Sequence, residues 1–308
     1  MRALVSAIVC LCCWIGISDP VIAKADSPIF VGVLEDVQPG NLSPAMSSAH
    51  VRIAFQRQGS AWVPMKSSFD TLDALAQADR YYPAAVIWTV VFDGKRIGTI
   101  TSRSPGKLDE YGDVGTQIIT TKPTNIPRIN EGASNFSYTH NRARTRPLLL
   151  VSAPNFKDPD DWKPTTLSAA ERTLAIKEFR KRFPSLEQCD KPEEQSVHMV
   201  PYSDEEVRFI KAYRSKNGKV IFGQRLDEAR SRCGFFDDEH FFDYWFVLKA
   251  NQNIRLLGSQ MTPMDAADLD NSGRSEWIFQ TSRGEDEDGY ELFYDDFSRK
   301  ASFHWTYH

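Results

Sequence analysis

Beyond its first 25 residues, much of the chain alternates apolar and polar side chains with a period of two. That spacing sets one group of side chains on each face of a β-strand. In AVIWTVVFDGKRIGTI two such runs flank Asp93-Gly94, a dipeptide suited to the positive φ angles of a two-residue type I′ hairpin turn. EVRFIKAYRSKNGKVIFG repeats the design around Asn217-Gly218, and HVRIAFQRQGSAWVPM, from His50, predicts a third hairpin with Gly59 in its turn. Further strands are predicted over Phe30–Val37, Pro147–Ser152 and Asp243–Leu248. Near the C-terminus Tyr290, Leu292 and Tyr294 share one strand face. In the last run Ala301, Phe303, Trp305 and Tyr307 oppose Lys300, Ser302, His304, Thr306 and His308.

One segment departs from this period. Ser168-Ala-Ala-Glu171 has capping-box spacing, Leu174, Phe179 and Phe183 follow at roughly helical intervals, and Pro184 ends the run. A second, shorter helix is expected around Thr71 to Arg80. No Gly/Ser linker or charge block divides residues 26–308, so a single β-rich domain is expected there, with a helical insertion over about 166–183. The predicted fold is mainly β, built of antiparallel hairpins. A propeller-like arrangement is the first expectation and a decorated β-sandwich the second.

The first residues follow another pattern. Arg2 precedes the apolar run ALVSAIVCLCCWIGI, and Ala23-Lys24-Ala25 offers small residues where signal peptidase reads them. The run is short for a bilayer span. Residues 1–25 therefore read as a signal peptide and the mature protein as periplasmic or secreted, with no stable membrane span. Cleavage would remove Arg2, Lys24 and Asp19, moving the formal net charge from −4 to −5. The remaining basic residues are scattered and carry no nucleic-acid-binding motif. Three of the five cysteines leave with the leader. Cys189 and Cys233 remain, and an oxidising compartment favours their pairing as one disulfide.

Candidate chemistry concentrates in DAADLDNSGRSEWIFQ. Counting Asp268 as position 1, oxygen-bearing side chains fall at 1, 3, 5 and 9: Asp268, Asp270, Ser272 and Glu276. Gly273 supplies a permissive backbone at position 6, and Arg274 at position 7 could offer its carbonyl. Calcium takes six to eight such oxygens. Position 12 is Phe279 and not the bidentate Glu of an EF-hand. The plain alternative is a polar turn.

Asp268-Leu-Asp270-Asn-Ser272-Gly273-Arg274-Ser-Glu276, followed by WIF, resembles the calcium loops of FG-GAP/VCBS-type repeats, the blade units of integrin-α-like β-propellers. The resemblance covers about Gly258 to Phe297, one repeat. It implies a calcium ion between flanking strands, with Ser272 standing where the family carries Asp or Asn. DEYGDVG (from Asp109) and DPDD (from Asp158) are acidic but spaced differently.

Sequence signatures of catalysis are missing: there is no His-Glu-x-x-His, nucleophile elbow, Walker loop or dinucleotide fingerprint. On one strand His304 and His308 would lie about 13 Å apart and could not share an ion. The histidines at 50, 140, 198 and 240 read as surface or packed residues. FFDDEHFFDYWF, Phe235 to Phe246, sets Asp237, Asp238, Glu239 and Asp243 among aromatic rings, the materials of a sugar site, though a turn with exposed acids and with Phe242, Trp245 and Phe246 in the core is the favoured reading. The leading expectation is a calcium-stabilised binding or structural module of the cell envelope, with a protein or carbohydrate ligand. The alternative is a hydrolase acting on envelope or extracellular polysaccharide.

Overall fold

The computed structural model describes residues 28–35, 50–67, 80–104, 116–121, 128–129, 144–145, 147–154, 156–189, 197–226, 242–282 and 287–306. The leader, most of the predicted Thr71–Arg80 helix, Cys233, His308 and Phe235–Phe241 lie outside them.

Every predicted hairpin within the described residues forms. The first is β2 (His50–Gln58) with β3 (Ala61–Pro64), and the second is β4 (Ala85–Phe92) with β5 (Lys95–Arg103). Together with β1 (Phe30–Glu35), β6 (Thr116–Ile119) and β9 (Leu148–Val151) they build a seven-stranded sheet ordered β1-β9-β4-β5-β6-β2-β3. A further β1–β2 ladder closes six of these strands into a ring. Short strands β7 (Arg128–Ile129) and β8 (Arg144–Thr145) pair with each other.

The second sheet is ordered β10-β13-β14-β15-β16, with β10 (Lys163–Pro164), β13 (Val207–Arg214), β14 (Val220–Leu226), β15 (Tyr244–Leu248) and β16 (Ile254–Ser259). Helix α1 (Ala169–Arg182) and the small hairpin β11 (Leu186–Cys189) with β12 (Val197–Val200) fall between β10 and β13 in the chain. The third sheet is a four-stranded meander of β17 (Met261–Ala267), β18 (Glu276–Ser282), β19 (Glu287–Tyr294) and β20 (Arg299–Thr306). That meander has the strand order of one propeller blade, but the first sheet closes into a ring instead of repeating it. All of these ladders are antiparallel, and stacked sheets suit the sandwich expectation.

Side-chain alternation explains the stacking. On the meander, Ile278, Tyr290, Leu292, Phe303 and Trp305 enter a core shared with the ring, while Trp277, Phe279 and Phe293 face Ile221, Trp245 and Val247 of the second sheet. Val220, Phe222, Tyr244 and Phe246 then point away from the meander onto Ala175 and Phe179 of α1. The order is therefore ring, meander, second sheet, helix. Burial on both faces is why YWFVL of β15 is apolar throughout, as inner strands are. Each fully buried aromatic contributes about 2–3 kcal/mol by leaving water.

Local rules hold in detail. Ser168 Oγ accepts the Glu171 N–H, and Glu171 returns the bond to the Ser168 N–H at 2.8 Å, completing the capping box. Asp93 and Gly94 adopt φ of 50° and 67°, as a type I′ turn requires. The Asn217-Gly218 turn differs from the expected two-residue form. Gly218 N donates to Ser215 O, only Gly218 has positive φ, and Ser215 pairs with Lys219, giving a longer loop with a glycine bulge. The β19–β20 turn holds three consecutive non-glycine residues at positive φ, Asp295, Asp296 and Phe297. A left-handed conformation costs about 1–2 kcal/mol per such residue, so neighbours must hold it in place.

Candidate metal centre

The β17–β18 connection carries the acidic loop. Its chain reversal uses positive φ at Asn271 (58°) and Gly273 (81°), and the turn brings Asp268, Asp270 and Glu276 together with one ligand oxygen from each within 4.8 Å of the others. Backbone N–H groups fix the carboxylates. Ser272 N donates to Asp268 Oδ1 (2.8 Å) and Asp270 Oδ1 (3.0 Å), Gly273 N to Asp268 Oδ2 (2.8 Å), and Leu269 N to Glu276 Oε2 (2.7 Å). Asp268 and Glu276 are buried, at 8% and 3% exposure.

Three carboxylates at this distance repel one another, and burial adds a desolvation penalty to each ionised form. Burial raises Glu276 to about 8. The Leu269 N–H bond opposes that rise, while the Asp270 and Asp268 charges add to it. Asp268 is raised too, mainly by burial, against the pull of the Gly273 and Ser272 N–H groups. One positive charge is supplied by the fold: Arg57 of β2 reaches from the ring to Asp270, Nη2 to Oδ2 at 2.5 Å, with its guanidinium over the Trp62 ring. With Arg57 counted, three ionised carboxylates leave two negative charges over, which one divalent ion would balance. An all-oxygen donor set suits a hard cation such as calcium or magnesium.

The five residues singled out from the sequence therefore divide. Asp268, Asp270 and Glu276 converge. Ser272 takes part through its backbone N–H, which donates to two of the carboxylates. The Arg274 side chain turns to Asp295, Nη2 to Oδ1 at 2.8 Å. Cys189 ends β11 opposite Val197, and its expected partner Cys233 lies outside the described residues.

Several neighbours were not anticipated. DPDD, read as a separate acidic stretch, docks on the loop: Ser275 Oγ donates to Asp158 Oδ1 (2.6 Å) and Ser275 N to Asp160 Oδ2 (3.4 Å), while Asp268 N donates to Lys157 O. Asp160 also accepts from Asn217 Nδ2 in the β13–β14 turn. Asp265 receives the N–H groups of Asp93 and Gly94 at 2.9 and 2.8 Å. A Cβ on Gly94 would approach Asp158 Oδ2 to 3.0 Å, so Asp158 would have to shift, and the φ of 67° there also favours glycine. The ring, the second sheet and the meander meet here. The density of Asp around position 158 was the available signal; nothing local to Arg57 announced its role.

A second polar cluster joins the ring to the meander. Glu35 accepts from Arg52 Nε (2.9 Å) and Tyr290 OH (2.6 Å) and lies 2.7 Å from His50 Nε2, with Arg52 over the Trp305 ring. Burial alone would raise the Glu35 carboxyl, but the Arg52 and His50 charges hold it well below the usual carboxylate range. Tyr290 is raised by burial and by the Glu35 charge. His50, read from sequence as a surface or packed residue, is a member of this network. His304 lies against Glu287 and Glu291, at 3.1 and 3.4 Å.

In the aromatic-acidic stretch, Tyr244, Trp245 and Phe246 are all buried, so these rings stack on core neighbours. Asp243 lies 3.5 Å from Arg225. Among the described residues no helix is long and apolar enough to cross a membrane. Comparison with protein-family models, curated proteins and solved structures finds no match to this chain. The FG-GAP/VCBS resemblance accordingly rests on the loop itself.

Proposed function

We infer that this is an exported, non-catalytic β module of the cell envelope whose acidic loop takes a calcium ion as a structural staple. The observation that carries the reading is the convergence of Asp268, Asp270 and Glu276 in one turn, with Asp268 and Glu276 buried and Glu276 raised to about 8. Such a turn is unfavourable when fully ionised and becomes favourable once a divalent charge compensates it. Its position supports a structural role, because groups from the ring, the second sheet and the meander all bond within or beside it. A Cys189–Cys233 disulfide belongs to the same reading and follows from export. The protein would present its surface to a protein or carbohydrate partner, with the ion holding the scaffold in register.

Thermal melting tests this. With calcium in excess, the mature protein is expected to melt several degrees higher than in chelator, since a ligand of the folded state alone stabilises by mass action. Asp268→Ala is expected to melt at the same temperature in both conditions. An equal melting temperature for the wild type with and without calcium removes the structural ion.

A further inference from the structure

We propose that the Asp295–Ser298 turn is a latch that locks the meander onto the second sheet, and that its release lets these two sheets part along the Trp162–Trp277 seam. Ser298 N donates to Asp295 O at 3.1 Å, and the two residues between, Asp296 and Phe297, have φ of 55° and 63°. Those are the central positions of a type I′ turn, where Asn-Gly or Asp-Gly is strongly preferred. Here a phenylalanine occupies the glycine position. A bulky residue at positive φ is an outlier that persists only when its surroundings impose it.

The surroundings are charged and aromatic: the cations on Asp296 and on the Phe297 carbonyl come from the other sheet, while Phe293 of the meander also lies 6.5 Å from the Phe297 ring. Phe297 is 3% exposed, packed edge-on to Trp162 (6.2 Å between centroids) in the core that also holds Trp277, Trp245 and Ile221. Trp162 itself stands edge-on to Trp277 at 5.0 Å. Asp296 bridges the second sheet: Lys219 Nζ, beside the β13–β14 turn, lies 2.9 Å from Oδ1, and Lys249 Nζ, beside the β15–β16 turn, lies 2.8 Å from Oδ2. These two bonds pull the Asp296 carboxyl below its ordinary value against the effect of burial. Arg255 of β16 donates to the Phe297 carbonyl. Asp295 is held from within the meander, by Arg274 and Arg299.

A turn that served only to reverse β19 into β20 would gain from glycine at 297. Retaining a strained Phe there makes sense if the ring plugs the seam and the strain is the cost of aiming it. The plug and the Asp296 clamp then act together, because both depend on the same left-handed backbone.

Hydrogen exchange on the full chain separates the two roles. The reporters are the Ser298 amide in the turn, the Gly218 and Gln252 amides in the two clamped turns of the second sheet, and the β2 amides in the ring. In Phe297→Gly, Ser298 is expected to keep or gain protection, while Gly218 and Gln252 exchange roughly tenfold faster and β2 is unchanged. In Asp296→Asn, which keeps tolerance of positive φ and loses only charge, Gly218 and Gln252 are again expected to exchange roughly tenfold faster over an unchanged β2. Should Phe297→Gly fail to fold, Asp296→Asn alone carries the test. Wild-type exchange at Gly218 and Gln252, or loss of protection spread equally over β2, would overturn the latch.

Discussion

Metal-free wild-type protein is expected to lose stability as pH rises from about 4.5 to 8, and Glu276→Gln to abolish most of that loss. In the folded chain Glu276 titrates near 8, whereas in the unfolded chain it titrates at its ordinary 4.5. Between these values the folded state holds a proton that the unfolded state has released, so stability falls as pH increases. Below about 4.5 both states are protonated and the term vanishes; above about 8 the whole cost is present. The size of the shift sets an upper bound of about 5 kcal/mol. Asp268, also raised, adds in the same direction.

Glutamine can still accept the Leu269 N–H but carries no charge to desolvate or repel. At pH 8 in chelator, Glu276→Gln should therefore be more stable than wild type. In calcium the order should reverse, since the variant has lost a ligand. Chemical denaturation at several pH values, with and without chelator, reads both effects. Parallel pH curves for the two proteins would show that the buried carboxyl does not carry this cost.

The second large effect belongs to the ring–meander junction. Glu35→Gln leaves the Arg52 guanidinium, whose side chain is 6% exposed, facing a neutral amide. Removing one partner of a buried ion pair costs about 3–5 kcal/mol. The double variant Glu35→Gln, Arg52→Met is expected to recover part of that loss, because no charge then remains to desolvate. Denaturant midpoints measure all three proteins. A Glu35→Gln variant within ~0.5 kcal/mol of wild type would mean that the network contributes nothing beyond packing.

Much of this architecture was legible where the cause is local. Period-two alternation placed β2 to β5, β13, β14, β19 and β20, and the Ser168 capping box placed α1. The spacing of Asp268, Asp270 and Glu276 was readable because one turn supplies all three. What stayed hidden depends on pairings far apart in sequence. Tyr290 and Glu35 are 255 positions apart, and Asp265 caps a turn 172 positions away. Neither Arg57 nor Glu35 sits in a motif; each acquires its role from the strand that happens to lie opposite. Ring closure through β1 and β2 is of the same kind. The β19–β20 turn was missed for a different reason: its sequence lacks the glycine that announces a type I′ turn, and tertiary contacts hold Phe297 where local preference would not.

Isothermal titration calorimetry of calcium into metal-stripped protein at pH 7 tests the acidic loop most directly. One calcium per chain should bind to the wild type and none to Asp268→Ala. An Asp268→Ala variant that binds calcium as the wild type does, or a wild type that gives no binding heat, would contradict the account.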